Sequence, residues 1–231
     1  MNQVDEKAAA ITPASSVVRE LRNYLETIAP YPTSCIGFEA RPTMNGTAFF
    51  PGGDGVIKRR GAEEPGFPVG GVLVLGSDFG DVVWYDAQFV ELSDWREELS
   101  GATWRGLFKL IDCAGIARER LFCTNAWPCL REGDEPVKGG IPGLKDREFT
   151  NRCCAFFERT IALMRPAVIV PLGIAPTAFV ASVWPEQLGY WLKSPSWRKI
   201  DEQPVGKANG IATPICNVWQ RWNEAARGSS S

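Results

Sequence analysis

A chain of 231 residues and 25.4 kDa, 45% hydrophobic and 23% charged, has the length and balance of one soluble globular domain with a full-sized core. Its formal net charge of -2 and pI near 5.4 exclude a histone-like polycation, so any nucleic-acid binding must come from a local basic patch. The sequence holds no histidine, which excludes an imidazole general base, Ser-His-Asp and Cys-His pairs, and every His-containing zinc site.

Residues 1–14 are small and polar and read as an N-terminal arm, residues 15–227 as a single domain, and residues 228–231 as a tail. A first helix is expected from Ser15 or Ser16, with Val18, Leu21, Leu25 and Ile28 on one face and Pro30 ending it. Residues 32–68 are rich in Gly, Pro, Asn and Asp and read as a long irregular excursion, with Ile57-Lys58-Arg59-Arg60 as its dense basic run. Residues 72–75 are uniformly apolar, as in a strand buried on both faces, and end at Gly76-Ser77-Asp78-Phe79-Gly80.

Residues 103–114 have helical character, with Trp104, Leu107, Phe108 and Ile111 on one side and Gly115 as C-cap. A second strand spans 120–124 and ends at Asn125. A helix over 148–165 carries Cys153, Phe156, Phe157, Ile161 and Leu163 and stops at Pro166. A third strand spans 167–172, followed by Gly173 and a short helix from about Pro176, and a weaker fourth strand spans 210–216. Strands alternating with helices predict a three-layer α/β/α domain around a mostly parallel, four-stranded sheet.

The seven cysteines are odd in number and irregularly spaced, and no basic-then-apolar leader opens the chain, so a reducing cytoplasm is expected. Residues 166–185 carry no charge, but Pro171, Gly173 and Pro176 divide them into strand, turn and helix, so no membrane association is expected. Ligands of open parallel sheets bind at the carboxyl ends of the strands. The loops at Asp78, Asn125, Gly173 and residues 213–217 should therefore converge on one crevice.

Three runs carry a resemblance: Gly76-Ser77-Asp78-Phe79-Gly80, Thr124-Asn125-Ala126-Trp127-Pro128-Cys129, and the stretch from Arg165 through Pro166 to Gly173. Their order and spacing, with Trp104-Arg105-Gly106-Leu107-Phe108 between the first two, resemble the successive motifs of the uracil-DNA glycosylase superfamily over residues 72–181.

The resemblance implies that Asp78 positions water and stabilises the sugar cation formed as an N-glycosidic bond breaks, where a bare reading would equally make it a turn or helix-capping residue. It implies that Asn125 reads the base, with one acceptor and two donors that suit uracil or, flipped, a cytosine-type base. Phe79 matches a position whose backbone grips the base. Trp84, Tyr85, Phe89 and Trp104 all stand as candidates for the stacking ring, because residues 81–101 depart from the family pattern.

Three departures matter. The family's closing histidine is missing, and either Thr213-Pro214 or Asn217-Val218-Trp219 stands in its place, with Trp219 or Trp222 as a wedge into the DNA. Cys129 and Cys153 match two of the four places of the [4Fe–4S] cluster that some members carry, but Cys35 stands without a Cys-x-x-Cys partner, so no cofactor and no metal are expected. Gly80 replaces the tyrosine that walls off the pyrimidine 5-position, so 5-substituted, phage-type bases should fit, unless the glycine serves a turn with φ > 0.

The expected function is a monofunctional DNA glycosylase that flips out uracil or a modified pyrimidine and leaves an abasic site, in base-excision repair or antiphage defence. No lysine lies in the three motifs, which argues against a Schiff-base lyase. DNA is the expected partner, met by Lys58, Arg59, Arg60 and Trp219, with Thr213 and Asn217 joining Asn125, Phe79 and Gly80 around the base; the protein is expected to be a monomer. The alternatives are an inactive binder of damaged or modified DNA and an α/β nucleotide-binding protein of another activity.

Overall fold

The computed structural model describes residues 13–38, 41, 49–57, 65–91, 102–133 and 145–183. Helix α1 (Ala14–Leu25) buries Ala14, Val17, Val18, Leu21 and Leu25, and a 3-10 turn carries the stripe on to Ile28. The expected serine cap is corrected. The helix starts behind Pro13 with no side-chain cap, and the Ser16 hydroxyl donates to the Pro13 carbonyl at 2.9 Å. A proline there sacrifices no intrahelical bond, because the first N–H groups of a helix have none to make.

Strand β1 (Cys35–Ile36) precedes β2 (Val72–Gly76), all five residues of which are buried. Helix α2 (Val82–Glu91) was not expected from the sequence. It is started by Asp81, whose Oδ1 accepts the Trp84 N–H at 2.8 Å as an N-cap should. Helix α3 (Ala102–Cys113) buries the expected Trp104, Leu107, Phe108 and Ile111. Gly115 has φ +66°, and the Ile116 N–H returns to the Ile111 carbonyl at 3.1 Å, closing the helix as a glycine C-cap does.

Strands β3 (Leu121–Asn125) and β4 (Leu130–Arg131) lead to α4 (Arg147–Met164), capped by Asp146 through the Phe149 N–H at 2.8 Å. Strand β5 (Val168–Pro171) and α5 (Ile174–Val183) follow. Residues 166–183 are thus divided into strand and helix, and among the described residues no helix is long and apolar enough to cross a membrane.

The sheet runs β3-β2-β5 with both pairings parallel, Gly76 opposite Asn125 and Leu75 opposite Pro171. Successive strand residues face opposite sides, so each face has its own core. Leu73, Leu75 and Phe122 join Val18 and Leu21 of α1, Phe156 and Phe157 of α4 and Phe179 of α5. Val72, Val74, Leu121, Cys123, Val168 and Val170 join Trp104, Leu107 and Ile111 of α3. The fold is therefore mixed α/β around a parallel sheet with helices on both faces. The fourth strand expected over 210–216 lies outside the described residues.

The described parts of the excursion over 32–68 are irregular apart from β1 and isolated bridges, but they pack into the core. Phe49, Phe50, Val56, Ile57 and Phe67 are buried. Phe50 bridges Thr124 and Val56 bridges Phe122, so this segment covers the outer edge of β3. Apolar residues interspersed among Gly and Pro show no helix or strand period, which is why the segment read as loop.

Candidate functional site

Parallel strands in register end together, and here β2 stops at Gly76, β3 at Asn125 and β5 at Pro171. The chain departs from all three ends in the same direction, leaving a cavity of about 480 Å³ lined by residues including Ser77, Asp78, Trp84, Asn125, Arg131 and Leu172. The strand order reverses beside β2, the place where open α/β sheets bind ligands. Asp78, Asn125 and the turn after β5 thus converge as expected. Residues 213–217 lie outside the described residues, and so do Lys58, Arg59, Arg60, Thr213, Asn217 and Trp219.

The loops that follow β2 and β3 are joined by four backbone bonds. The Ala126 N–H donates to the Gly76 carbonyl at 2.9 Å and the Trp127 N–H to Ser77 at 3.0 Å. The Phe79 N–H donates to Cys129 at 3.2 Å and the Arg131 N–H to Gly80 at 2.8 Å. Asp78 sits in the middle of this ladder, so its backbone is held from both sides.

The Asp78 side chain is 9% exposed, with Oδ2 3.0 Å from Nε of Arg131, itself 19% exposed. The contact is a charge pair set off the line a hydrogen bond needs, and neither atom has another partner among the described residues. Oδ1 accepts a long contact from the Gly80 N–H at 3.4 Å. Burial pushes the Asp78 carboxyl above the ordinary aspartate value, and Arg131 pulls against it. Of the roles open to Asp78, helix capping belongs to Asp81 instead.

Asn125 is only 5% exposed, lines the cavity, and has no side-chain hydrogen-bond partner among the described residues. Buried amides are ordinarily engaged, so an unengaged one at a cavity wall is equipped to meet a ligand's polar edge. Its Oδ1 stands where a Gly76 side chain would be: a Cβ there would lie 2.2 Å away.

Phe79 packs its ring edge-on against Phe38 and Tyr85, with centroids 5.2 Å and 5.6 Å apart, while one side of it borders the cavity. Its N–H is engaged by Cys129, so a backbone grip on a ligand falls to its carbonyl. Gly80 has φ +90°, and a Cβ there would meet Trp84 at an ordinary 3.8 Å. The backbone requirement for glycine is therefore present whether or not the space serves a ligand.

Among the four candidate stacking rings, Trp104 and Tyr85 are 1% and 0% exposed and belong to the core. The Phe89 side chain lies outside the described residues. Trp84, 47% exposed and on the cavity wall, is the ring a ligand can reach.

The cysteines gather more closely than their spacing suggests. Cys35, which stands apart in the sequence, hydrogen-bonds the Cys129 thiol, and this bond, then burial, pushes Cys129 up; Cys153 is a further neighbour. Among the described residues no group of three or more His, Cys, Asp or Glu is arranged to hold a metal ion.

Arg131 and Gly76 were not identified from the sequence. Arg131 carries no spacing signal, because the β4 ladder alone brings it to Asp78. Gly76 had one available cue, its place as the last residue before the Asp78 loop. No protein-family model matches this chain, and no curated protein matches its sequence.

Proposed function

We propose that the protein is a monofunctional DNA glycosylase acting on uracil or a modified pyrimidine. The observation that carries the reading is the nearly buried, unengaged Asn125 carboxamide sharing one cavity with the Asp78 carboxylate. A flipped base enters the crevice at the strand ends, and Asn125 pairs with its polar edge. Breaking the N-glycosidic bond develops positive charge on the sugar, which the Asp78 carboxylate stabilises while it orients the attacking water. Trp84 offers its face to the base or to a neighbouring nucleotide.

The volume of about 480 Å³ lies in the range of small-molecule sites and leaves room beyond an unsubstituted pyrimidine. That favours 5-substituted bases, in repair or in defence against modified foreign DNA. The reading takes the sheet as four-stranded and the protein as a cytoplasmic monomer without a cofactor.

The test is incubation with DNAs bearing uracil, 5-substituted uracils, and hydroxymethylated or glucosylated cytosines, followed by assay for alkali-labile abasic sites. Strand breaks after alkali that vanish in Asp78→Asn support the glycosylase. Salt-dependent binding of modified DNA with no abasic sites favours the second reading, an inactive binder, which the absence of histidine motivates.

A further inference from the structure

Arg131 meets the Asp78 loop in three ways. Its backbone N–H donates to the Gly80 carbonyl at 2.8 Å, its strand residue bridges Asp81, and its guanidinium Nε stands 3.0 Å from Asp78 Oδ2. Both charged atoms are sealed from solvent. The opposite oxygen, Oδ1, accepts the Gly80 N–H at a long 3.4 Å. One carboxylate oxygen is therefore anchored and the other lightly held, in the wall of the same cavity.

We propose that Arg131 is the positioning residue of this site: its guanidinium, carried on β4, fixes the Asp78 carboxylate through Oδ2 and leaves Oδ1 to act on the substrate. The second half of this assignment rests on the glycosylase reading. The physical need is plain. A carboxylate this buried loses most of its hydration and takes up a proton unless a cation faces it. Arginine cannot deprotonate, so it supplies a permanent charge where no histidine exists. The other charged or titratable groups near Asp78 are Asp81 at the start of α2, which opposes ionisation, and the Cys129 thiol, which is held protonated.

The experiment follows the Asp78 carboxyl carbon by NMR in protein labelled with 13C-aspartate, the resonance being the one lost in Asp78→Asn. In Arg131→Met, Asp78 should titrate about one to three pH units higher than in wild type, and Arg131→Lys should recover part of that shift. The acid limb of excision should move with it, lowering kcat more than it changes KM. Arg131→Gln repeats the comparison if the Met variant does not fold. Identical Asp78 titration in wild type and a folded Arg131 variant overturns the assignment. A shifted titration in a wild-type protein that excises no base keeps Arg131 as the anchor of Asp78 and removes the glycosylase reading instead.

Discussion

Asn125 Oδ1 occupies the place of the side chain that Gly76, its register partner on the neighbouring strand, does not have: a Cβ on Gly76 would lie 2.2 Å from it. Contacts that short do not occur between real atoms, so Gly76→Ala must turn the carboxamide or push the strand ends apart. Overpacking of this kind costs about 1–3 kcal/mol of stability. The expected outcome is a folded variant with a lowered Tm and a loss of excision larger than its loss of DNA affinity. Unaltered base selectivity and rate in Gly76→Ala would mean that the Asn125 amide does not touch the base.

Asp78→Asn should lower excision by about 2.7–4 kcal/mol of barrier, the usual effect of removing one charge-stabilising group, with DNA affinity near wild type. Its pH signature is a second check. The folded-state carboxyl titrates above its unfolded value, with burial as the main cause and Arg131 opposing. The native protein then holds the proton to higher pH than the unfolded chain does. This contribution to stability is therefore present below the unfolded value and lost as pH rises through the folded one. Urea unfolding of wild type and Asp78→Asn should show their stability difference falling across that window, upward from the ordinary aspartate range.

Trp84 and Trp104 should separate function from packing. Trp84 is 47% exposed at the cavity wall, so Trp84→Ala should change stability by less than about 0.5 kcal/mol. A stacked base lost there should weaken single-strand or flipped-base binding by about 1–3 kcal/mol. Trp104, 1% exposed against Phe49 and Phe108, should cost about 3–5 kcal/mol of stability when replaced by Ala. Fluorescence titration with DNA and thermal melts read both, and an unchanged affinity in Trp84→Ala removes it from the binding surface.

Gly80→Ala should destabilise the loop by about 1–3 kcal/mol and depress activity on every base alike, because φ +90° is strained for any residue with a Cβ. Gly80→Tyr adds a ring beside Trp84. Selective loss of 5-substituted pyrimidines beyond the loss seen in the Ala variant would show that the space over Gly80 also admits the substituent. Equal losses in both variants leave the backbone as the whole reason for glycine.

The chain order of alternating strands and helices, the uniformly apolar run of β2, the buried face of α1 and the glycine stop of α3 were all legible from local pattern. Each depends on residues adjacent in sequence or one helical turn apart, and burial on both faces leaves no alternation to misread. The convergence of Asp78 and Asn125 was legible too, because parallel strands in register bring their carboxyl ends together whatever lies between them. Helix α2 was not, though Asp81 is a fair capping signal, because its flanking residues show no clear apolar period.

Other relationships had no sequence trace at all. Arg131 reaches Asp78 because β4 runs beside the loop after β2, and Cys35 reaches Cys129 because β1 pairs with β4; both are pairings between distant segments that two-residue strands cannot announce. Which tryptophan is open to a ligand and which is core depends on solid-angle coverage by several elements at once. The sequence by itself determined the order of strands β2, β3 and β5 and of helices α1, α3, α4 and α5, the end of the sheet at which Asp78 and Asn125 meet, and the chemistry excluded by a chain without histidine. Only the tertiary structure decided which charge faces Asp78, which glycine makes room for Asn125 and which ring borders the cavity, because those are distances between residues that the chain keeps far apart.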